Sequence, residues 1–178
     1  MCLFAAIWTP ANAESLAREM VGPRAIAGAA GHATWGRVRK SPREWGGGAG
    51  GFTKRFASSL GQHAAKIGIQ AGVAGLRHEN LHYQRSNLHG TWPRMKYAVK
   101  STFIVPRTNR PGKTVATSRI AGNFGAGVIS RVWQPASTAG LGAGLASGGI
   151  GLGADVGVNV AREFWPQRKN KRIAARKR

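Results

Sequence analysis

Glycines at helical spacing constrain the fold of this chain more than any other feature. Near the C-terminus the sequence reads STAGLGAGLASGGIGLGADVGVNVAREFWP, in which Gly140, Gly144, Gly148, Gly151 and Asp155 follow one another at steps of four, four, three and four. Such steps place side chains on one face of an α-helix. Because glycine lets helix backbones approach closely, this ridge predicts a helix that packs tightly against a neighbour.

Two more ridges of small residues precede this one. The first lies in a long helical pattern that starts at Phe52, and its members are Ala57, Gly61, Ala64, Gly68, Gly72 and Gly75. The second consists of Ser118, Gly122, Ala126 and Ser130. We therefore predict a mainly α-helical protein, a small bundle or set of close-packed hairpins with small-xxx-small faces. The predicted packing positions are Gly61, Gly68, Gly72, Gly122, Ala126, Gly140, Gly144, Gly148 and Gly151.

The cost of these glycines bears on the environment of the helices. Seven glycines lie between Ser137 and Ala154, and each costs about 1 kcal/mol relative to alanine in a helix. This uncharged segment would extend about 27 Å as a helix, just short of a hydrocarbon core, but it has few large apolar side chains. A packed helical hairpin in or on a membrane fits better than an isolated span. A glycine-rich loop and a soluble, tightly packed bundle are the alternatives.

The charge balance predicts an anionic partner. The chain has 27 lysines and arginines against six acids, and a net charge of +21 cannot be neutralised internally. Anionic lipid and nucleic acid are both suitable, although no RRM, KH or zinc-finger signature accompanies the charge. The basic tail, residues 167–178, holds the densest cluster of predicted surface-binding cations: Arg168, Lys169, Lys171, Arg172, Arg176, Lys177 and Arg178.

Three tryptophans lie close to prolines at predicted helix ends, in the runs WPR, WQP and WPQR. Tryptophan and arginine at the ends of apolar segments are typical of a membrane interface. We therefore predict Trp92, Trp133 and Trp165 as interface anchors. The alternative is that each fastens a helix end to a soluble core.

The N-terminal third is predicted to lie outside the helical core. Residues 1–13, MCLFAAIWTPANA, have the apolar run and Ala-x-Ala end of a signal peptide without its basic start, so they are a candidate truncated signal or a frayed terminus. Cys2 is the only cysteine, which excludes an internal disulfide. Residues 14–51 are basic and glycine-rich, and we predict a flexible segment ending in the joint EWGGGAGG. Residues 52–166 form the predicted helical core.

Two local features of that core can be read from turn residues. Pro93 suits the first turn of a helix, with Thr91 as a nearby cap. The runs STFIV and TVATS flank the turn PRTNRPGK and are also compatible with a short hairpin.

The stretch HENLH, residues 78–82, matches the H-E-x-x-H signature, in which two histidines on a helix bind zinc and the glutamate polarises water. A third ligand is missing, because Leu88 occupies the position that metzincins use and Glu163 is the only downstream glutamate. The shortage of carboxylates also weighs against hydrolase chemistry. Since the match lies where the helical pattern ends, we interpret it as a helix terminus.

Asp155 is the only aspartate and lies on the third ridge. A carboxylate in a packed face needs a partner, and the candidates are Arg119 and Arg131 on the preceding helix. We expect a structural ion pair rather than a catalytic acid.

Four blocks carry a resemblance to a known group of proteins: EWGGGAGGFTKRFASSLGQHAAKIGIQAGVAGLRHEN, GTWPRMKYAVKSTFIV, SRIAGNFGAGVISRVWQP and ADVGVNVAREFWPQRKNK. They resemble a family of glycine-rich, predicted envelope-associated helical proteins of soil bacteria, over most of residues 20–172. The resemblance implies an exported or envelope-associated protein, and no activity, cofactor or catalytic residue. In the family pattern the His78-Glu79 pair and an aromatic near Tyr83 recur, whereas a histidine at position 82 does not.

These observations predict a structural or assembly protein that associates with an anionic membrane of the bacterial cell envelope. The expected partner is anionic lipid or another helix of the same or a partner membrane protein. A basic nucleic-acid-binding protein is the alternative, and a zinc hydrolase is a distant third. We expect no enzymatic activity, cofactor, metal or small-molecule substrate.

Overall fold

Six α-helices and one short hairpin make up residues 10–165, the part of the chain that the computed structural model describes, with side chains from Glu14 onward. The helices are α1 (Pro10–Val21), α2 (Pro23–Val38), α3 (Ala49–Arg77), α4 (Thr91–Phe103), α5 (Thr117–Ile129) and α6 (Leu141–Phe164). Strands β1 (Ile104–Pro106) and β2 (Lys113–Val115) form the hairpin, and 3-10 turns lie at Arg43–Trp45, Ser130–Trp133 and Ala136–Thr138. The prediction of a mainly helical, packed protein is confirmed.

The N-terminal segment is helical, not flexible as predicted. Ala25, Ala29 and Ala33 recur every four residues and are buried, and the face of α2 that they form packs against α3. Gly22 separates α1 from α2, and Pro23 begins α2 because its fixed φ suits the first helical position. The glycine and proline therefore divide this segment into two helices instead of unfolding it.

Arg55 ties down the loop that leads into α3. Its guanidinium donates three hydrogen bonds to the backbone carbonyls of Ser41, Pro42 and Gly46, at 2.9, 2.7 and 2.8 Å. The side chain is buried, so these hydrogen bonds hold the backbone of the segment that precedes α3 against the helix.

The centre of the molecule is the trio α3, α5 and α6, with α5 packed against both of the other two. α4 packs on α6, and α1 and α2 pack on α3. The antiparallel hairpin pairs Ile104 with Val115 and Pro106 with Lys113. The runs STFIV and TVATS were compatible with such a hairpin. Pro93 lies in the first turn of α4 as predicted, but the cap residue is Gly90 at φ 90°, and Thr91 provides no side-chain cap.

Candidate functional site

Backbone atoms form the contact between α5 and α6. A Cβ added to Gly127 would overlap the carbonyl oxygen of Gly144 and lie 2.9 Å from the backbone nitrogen of Gly148. A Cβ on Gly148 would lie 2.8 Å from the Cα of Phe124. Real Cβ atoms do not approach neighbours so closely, so this seam requires glycine on both helices. Gly144 and Gly148 were predicted here, but Gly127 was not, because it lies beside the predicted ridge of α5 and not on it.

The other predicted packing positions divide into two groups. Gly122 and Ala126 are buried, and Gly122 faces Lys66 and Gln70 of α3. Gly151 faces the side chain of Asn123. Gly61 and Gly68 make ordinary contacts, at 3.7 Å to Trp133 and 3.4 Å to Met20.

Two predicted packing positions are wrong. A Cβ on Gly72 or Gly140 would meet nothing within 4 Å. Gly140 precedes α6 as its cap residue, so it lies beyond the helix contact. Gly72 lies on a face of α3 turned away from α5, which instead packs against the side chain of Gln70 and the backbone carbonyl of Lys66.

Asp155 forms an ion pair, but not with the predicted arginines. One carboxylate oxygen lies 2.6 Å from Nζ of Lys66 on α3, and the other accepts a 2.8 Å hydrogen bond from Asn123. Arg119 instead donates to the carbonyl of Leu81, and Arg131 donates to those of Gly127 and Thr138. The ion pair therefore links α6 to α3 across α5.

Glu79 is buried beyond the end of α3 and caps α5. It accepts hydrogen bonds from the backbone nitrogens of Thr117 and Ser118, at 3.2 and 3.0 Å, and from the Ser118 hydroxyl. Helix α3 ends at Arg77, and His78 follows in the left-handed conformation at φ 54° and ψ 44°. The H-E-x-x-H stretch is therefore not a helical pair of histidines.

Glu163, near the end of α6, is fully buried among hydrogen-bond donors from the loop after α3 and from α4. Its carboxylate accepts from Tyr83 at 2.7 Å, from the Ser86 hydroxyl at 2.5 Å and from Arg94 Nε at 3.0 Å. Burial works to raise the pKa of Glu163, but the hydrogen bonds from Ser86, Tyr83 and Arg94 outweigh it and lower the pKa to about 2. Burial and then Glu163 raise the pKa of Tyr83. Tyr83 thus anchors the loop to α6.

These acids have structural partners and do not gather into a ligand set. Within residues 10–165, no group of three or more His, Cys, Asp or Glu side chains could hold a metal ion. Nothing in the local sequence marks Glu163 as a buried centre; the one available signal is that so basic a chain has only six acids. Because acids are so few, each buried carboxylate accepts hydrogen bonds from several donors.

The three predicted anchor tryptophans differ in their surroundings. Trp133 donates a 3.0 Å hydrogen bond from Nε1 to Ser58 on α3, so it fastens a turn to the bundle, as in the alternative interpretation. Trp92 and Trp165 are 61 % and 69 % exposed.

The predicted tail cations, in residues 167–178, and the apolar start of the chain, residues 1–9, lie outside the described residues.

The side chains that are fully buried are mostly polar, while many large apolar side chains are exposed. Within residues 14–165, the largest fully buried side chains are those of Glu163, Asn159, Thr102, Ser118 and Ser130, and the buried apolar residues are alanines and one valine. Large apolar side chains are exposed on each of the six described helices. This distribution reverses the usual preference of water-soluble proteins for an apolar core.

Helix α6 has the most apolar sequence of the six described helices. It is long and apolar enough to cross a membrane by length and composition, and only 11 % of its most apolar stretch of 18 residues is buried. Leu141, Leu145 and Ile150 are exposed along it. Gly142, Gly149, Gly153 and Gly157 have open space where a Cβ would lie.

Comparison with known proteins adds no further assignment: no family model, curated protein or solved structure matches this chain.

Proposed function

We propose that this protein is a structural or assembly component that associates with an anionic membrane of the bacterial cell envelope. The observation that carries the proposal is the reversed polarity, in which buried glutamate, asparagine, serine and threonine coexist with large apolar side chains at the surface. In water those apolar side chains are a cost, whereas at a bilayer they become the binding surface.

The two sides of α6 indicate how the protein would lie. One side is closed by α4 and α5 and carries Asp155, Asn159 and Glu163, each hydrogen-bonded to a neighbouring element. The opposite side exposes Ile150. Neighbouring α4 exposes Lys96 and Lys100. We therefore favour a helix that lies along the membrane surface with its apolar side inserted, rather than a helix that crosses the membrane.

Charge would strengthen this contact. A net charge of +21 favours an anionic leaflet, at about 1 kcal/mol for each lysine or arginine near the surface. Exposed Trp92 and Trp165 are suited to headgroup depth. The basic tail would add further cations, as its sequence predicts.

Vesicle flotation tests the proposal. The full chain is mixed with phosphatidylcholine vesicles or with mixed phosphatidylcholine–phosphatidylglycerol vesicles, and the fraction that floats is measured. We expect flotation with the anionic vesicles and strong loss of it in the double variant Leu145→Glu/Ile150→Glu, because both changes place charge at exposed apolar positions of α6.

A matched control carries the same change in charge. Asn87→Glu and Asn109→Glu both lie at exposed loop positions, and this double variant should float almost as well as the parent chain. Circular dichroism should show the same helicity in both double variants. Equal flotation of the two double variants would overturn the proposed membrane contact of α6. Binding to nucleic acid in preference to anionic vesicles would overturn the proposed function and favour the nucleic-acid alternative.

A further inference from the structure

The exposed side of α4 contains an apolar groove bordered by lysines. Its lining consists of Trp92, Met95, Lys96, Val99 and Lys100, and its volume is about 330 Å³. Trp92 and Val99 are exposed, and the Lys96 Nζ lies 5.2 Å from the centre of the Trp92 ring. An apolar floor with charge along one side is thus present on a single helix.

The spacing of these residues separates the two chemistries. Trp92, Met95 and Val99 follow at steps of three and four, so they form one row along α4. Lys96 and Lys100 are four residues apart and form a neighbouring row. Two like charges at this spacing destabilise a helix slightly, and an anion placed between them would remove that cost.

The groove has no acid of its own. The sequence of α4, TWPRMKYAVKSTF, contains neither aspartate nor glutamate. Glu163 is the acid that contacts α4, through Arg94. Its carboxylate is fully buried and accepts hydrogen bonds from Arg94, Tyr83 and Ser86. Lys96 and Lys100 are therefore available to an anion from outside the chain.

We propose that this groove binds a single anionic phospholipid. An acyl chain would lie against Trp92, Met95 and Val99, and the phosphate would lie between the ammonium groups of Lys96 and Lys100. The proposal deepens the proposed function, because the lipid would come from the same membrane, but it assigns a defined headgroup site to α4 where the general contact uses α6.

Calorimetric titration with dihexanoyl-phosphatidylglycerol, kept monomeric, tests this site without a membrane. We expect saturable binding to the full chain. The neutral-headed analogue dihexanoyl-phosphatidylcholine should bind at least about tenfold more weakly, because it lacks net negative charge. Glycerol 3-phosphate, which has the phosphate without acyl chains, should also bind at least about tenfold more weakly, because it cannot cover the apolar floor.

The lysines provide a matched pair of variants. Lys96→Gln/Lys100→Gln should weaken binding of the phosphatidylglycerol about thirtyfold. Lys54→Gln/Lys113→Gln, which removes two exposed lysines on α3 and β2, should change it by less than about twofold. Both changes are at the surface, and equal helicity in circular dichroism would show that both variants fold.

Any one of three outcomes would overturn the proposal of a phospholipid site on α4. The first is equal affinity for the two lipid headgroups, and the second is an equal effect of the two double lysine variants. The third is displacement of the lipid by a single-stranded oligonucleotide at equal phosphate concentration. Lysine-dependent binding of the monomeric lipid together with failure to float with vesicles would support the α4 site and reject the proposed function. Flotation without selective binding of the monomeric lipid would do the reverse.

Discussion

Ser118, in the first turn of α5, donates both its backbone N–H and its hydroxyl to one carboxylate oxygen of Glu79, at 3.0 and 2.5 Å. The residue at the cap position of α5 is Ala116, which has no side chain to cap the helix. A carboxylate from the loop after α3 therefore satisfies the free N–H groups at this helix start, where negative charge is favourable. One residue thus joins a loop to a helix that follows it by almost forty positions.

Glu79→Gln should lower the free energy of unfolding by about 1–3 kcal/mol, because an amide would place an N–H among donors and leave buried groups unpaired. Chemical denaturation followed by circular dichroism measures the change. Glu14→Gln is the control, since Glu14 and Arg18 form an exposed pair that should contribute less than about 1 kcal/mol. Equal losses in the two variants would show that Glu79 is not a special cap.

Stability should fall as the pH drops from about 4.5 towards 2. The folded pKa of Glu163 is about 2, below its ordinary 4.5, so the unfolded chain binds the proton more readily. The contribution of this carboxylate is therefore fully present above pH 4.5 and is lost through the acid range. In Glu163→Gln this part of the pH dependence should disappear, as measured by denaturation at a series of pH values. An unchanged slope in the variant would contradict the prediction.

Two glycine-to-alanine changes should have opposite signs. Gly127→Ala should destabilise the protein by about 1–3 kcal/mol, because its methyl group would overlap the backbone of α6. Gly153→Ala, on the open side of α6, should stabilise the helix by about 0.5–1 kcal/mol. Thermal unfolding compares the two. Similar effects at both sites would mean that the α5–α6 seam is not formed by backbone contact.

A double-mutant cycle should detect the ion pair between Lys66 and Asp155. Their side chains are only 17 % and 24 % exposed, so solvent screens the pair less than one at the surface. With Lys66→Met and Asp155→Asn we expect a coupling energy of about 1 kcal/mol or more. The same cycle at Arg18 and Glu14, with Arg18→Met and Glu14→Gln, provides the comparison, and a coupling no larger than that pair's would contradict the prediction.

The sequence predicts those parts of the fold that depend on spacing within one helix. The positions of Gly122, Ala126, Gly144 and Gly148 follow from a period of three or four, and all four are buried in the structure. The N-terminal helices are less evident from the sequence because α2 packs through alanines. When the four-residue spacing of these alanines is overlooked, the Ala- and Gly-rich composition of α2 resembles that of a flexible linker.

Relations between distant elements could not be predicted in this way. The partner of Asp155 depends on how α3 crosses α5, and this selects Lys66 over arginines that are nearer in sequence. Glu163 and Glu79 collect donors from loops and helices whose relative placement has no periodic signature. The identities of the acids are visible in the sequence, but their neighbours are set by tertiary packing.

The polar interior also affects how the protein responds to temperature. Unfolding raises the heat capacity through newly exposed apolar surface and lowers it through exposed polar surface. Within residues 14–165, Val105 is the one apolar side chain larger than alanine that is buried. We therefore expect a heat-capacity increment below the usual value of about 12–15 cal/mol/K per residue. The stability curve of such a protein is shallow, so its free energy of unfolding changes little between cold and warm conditions.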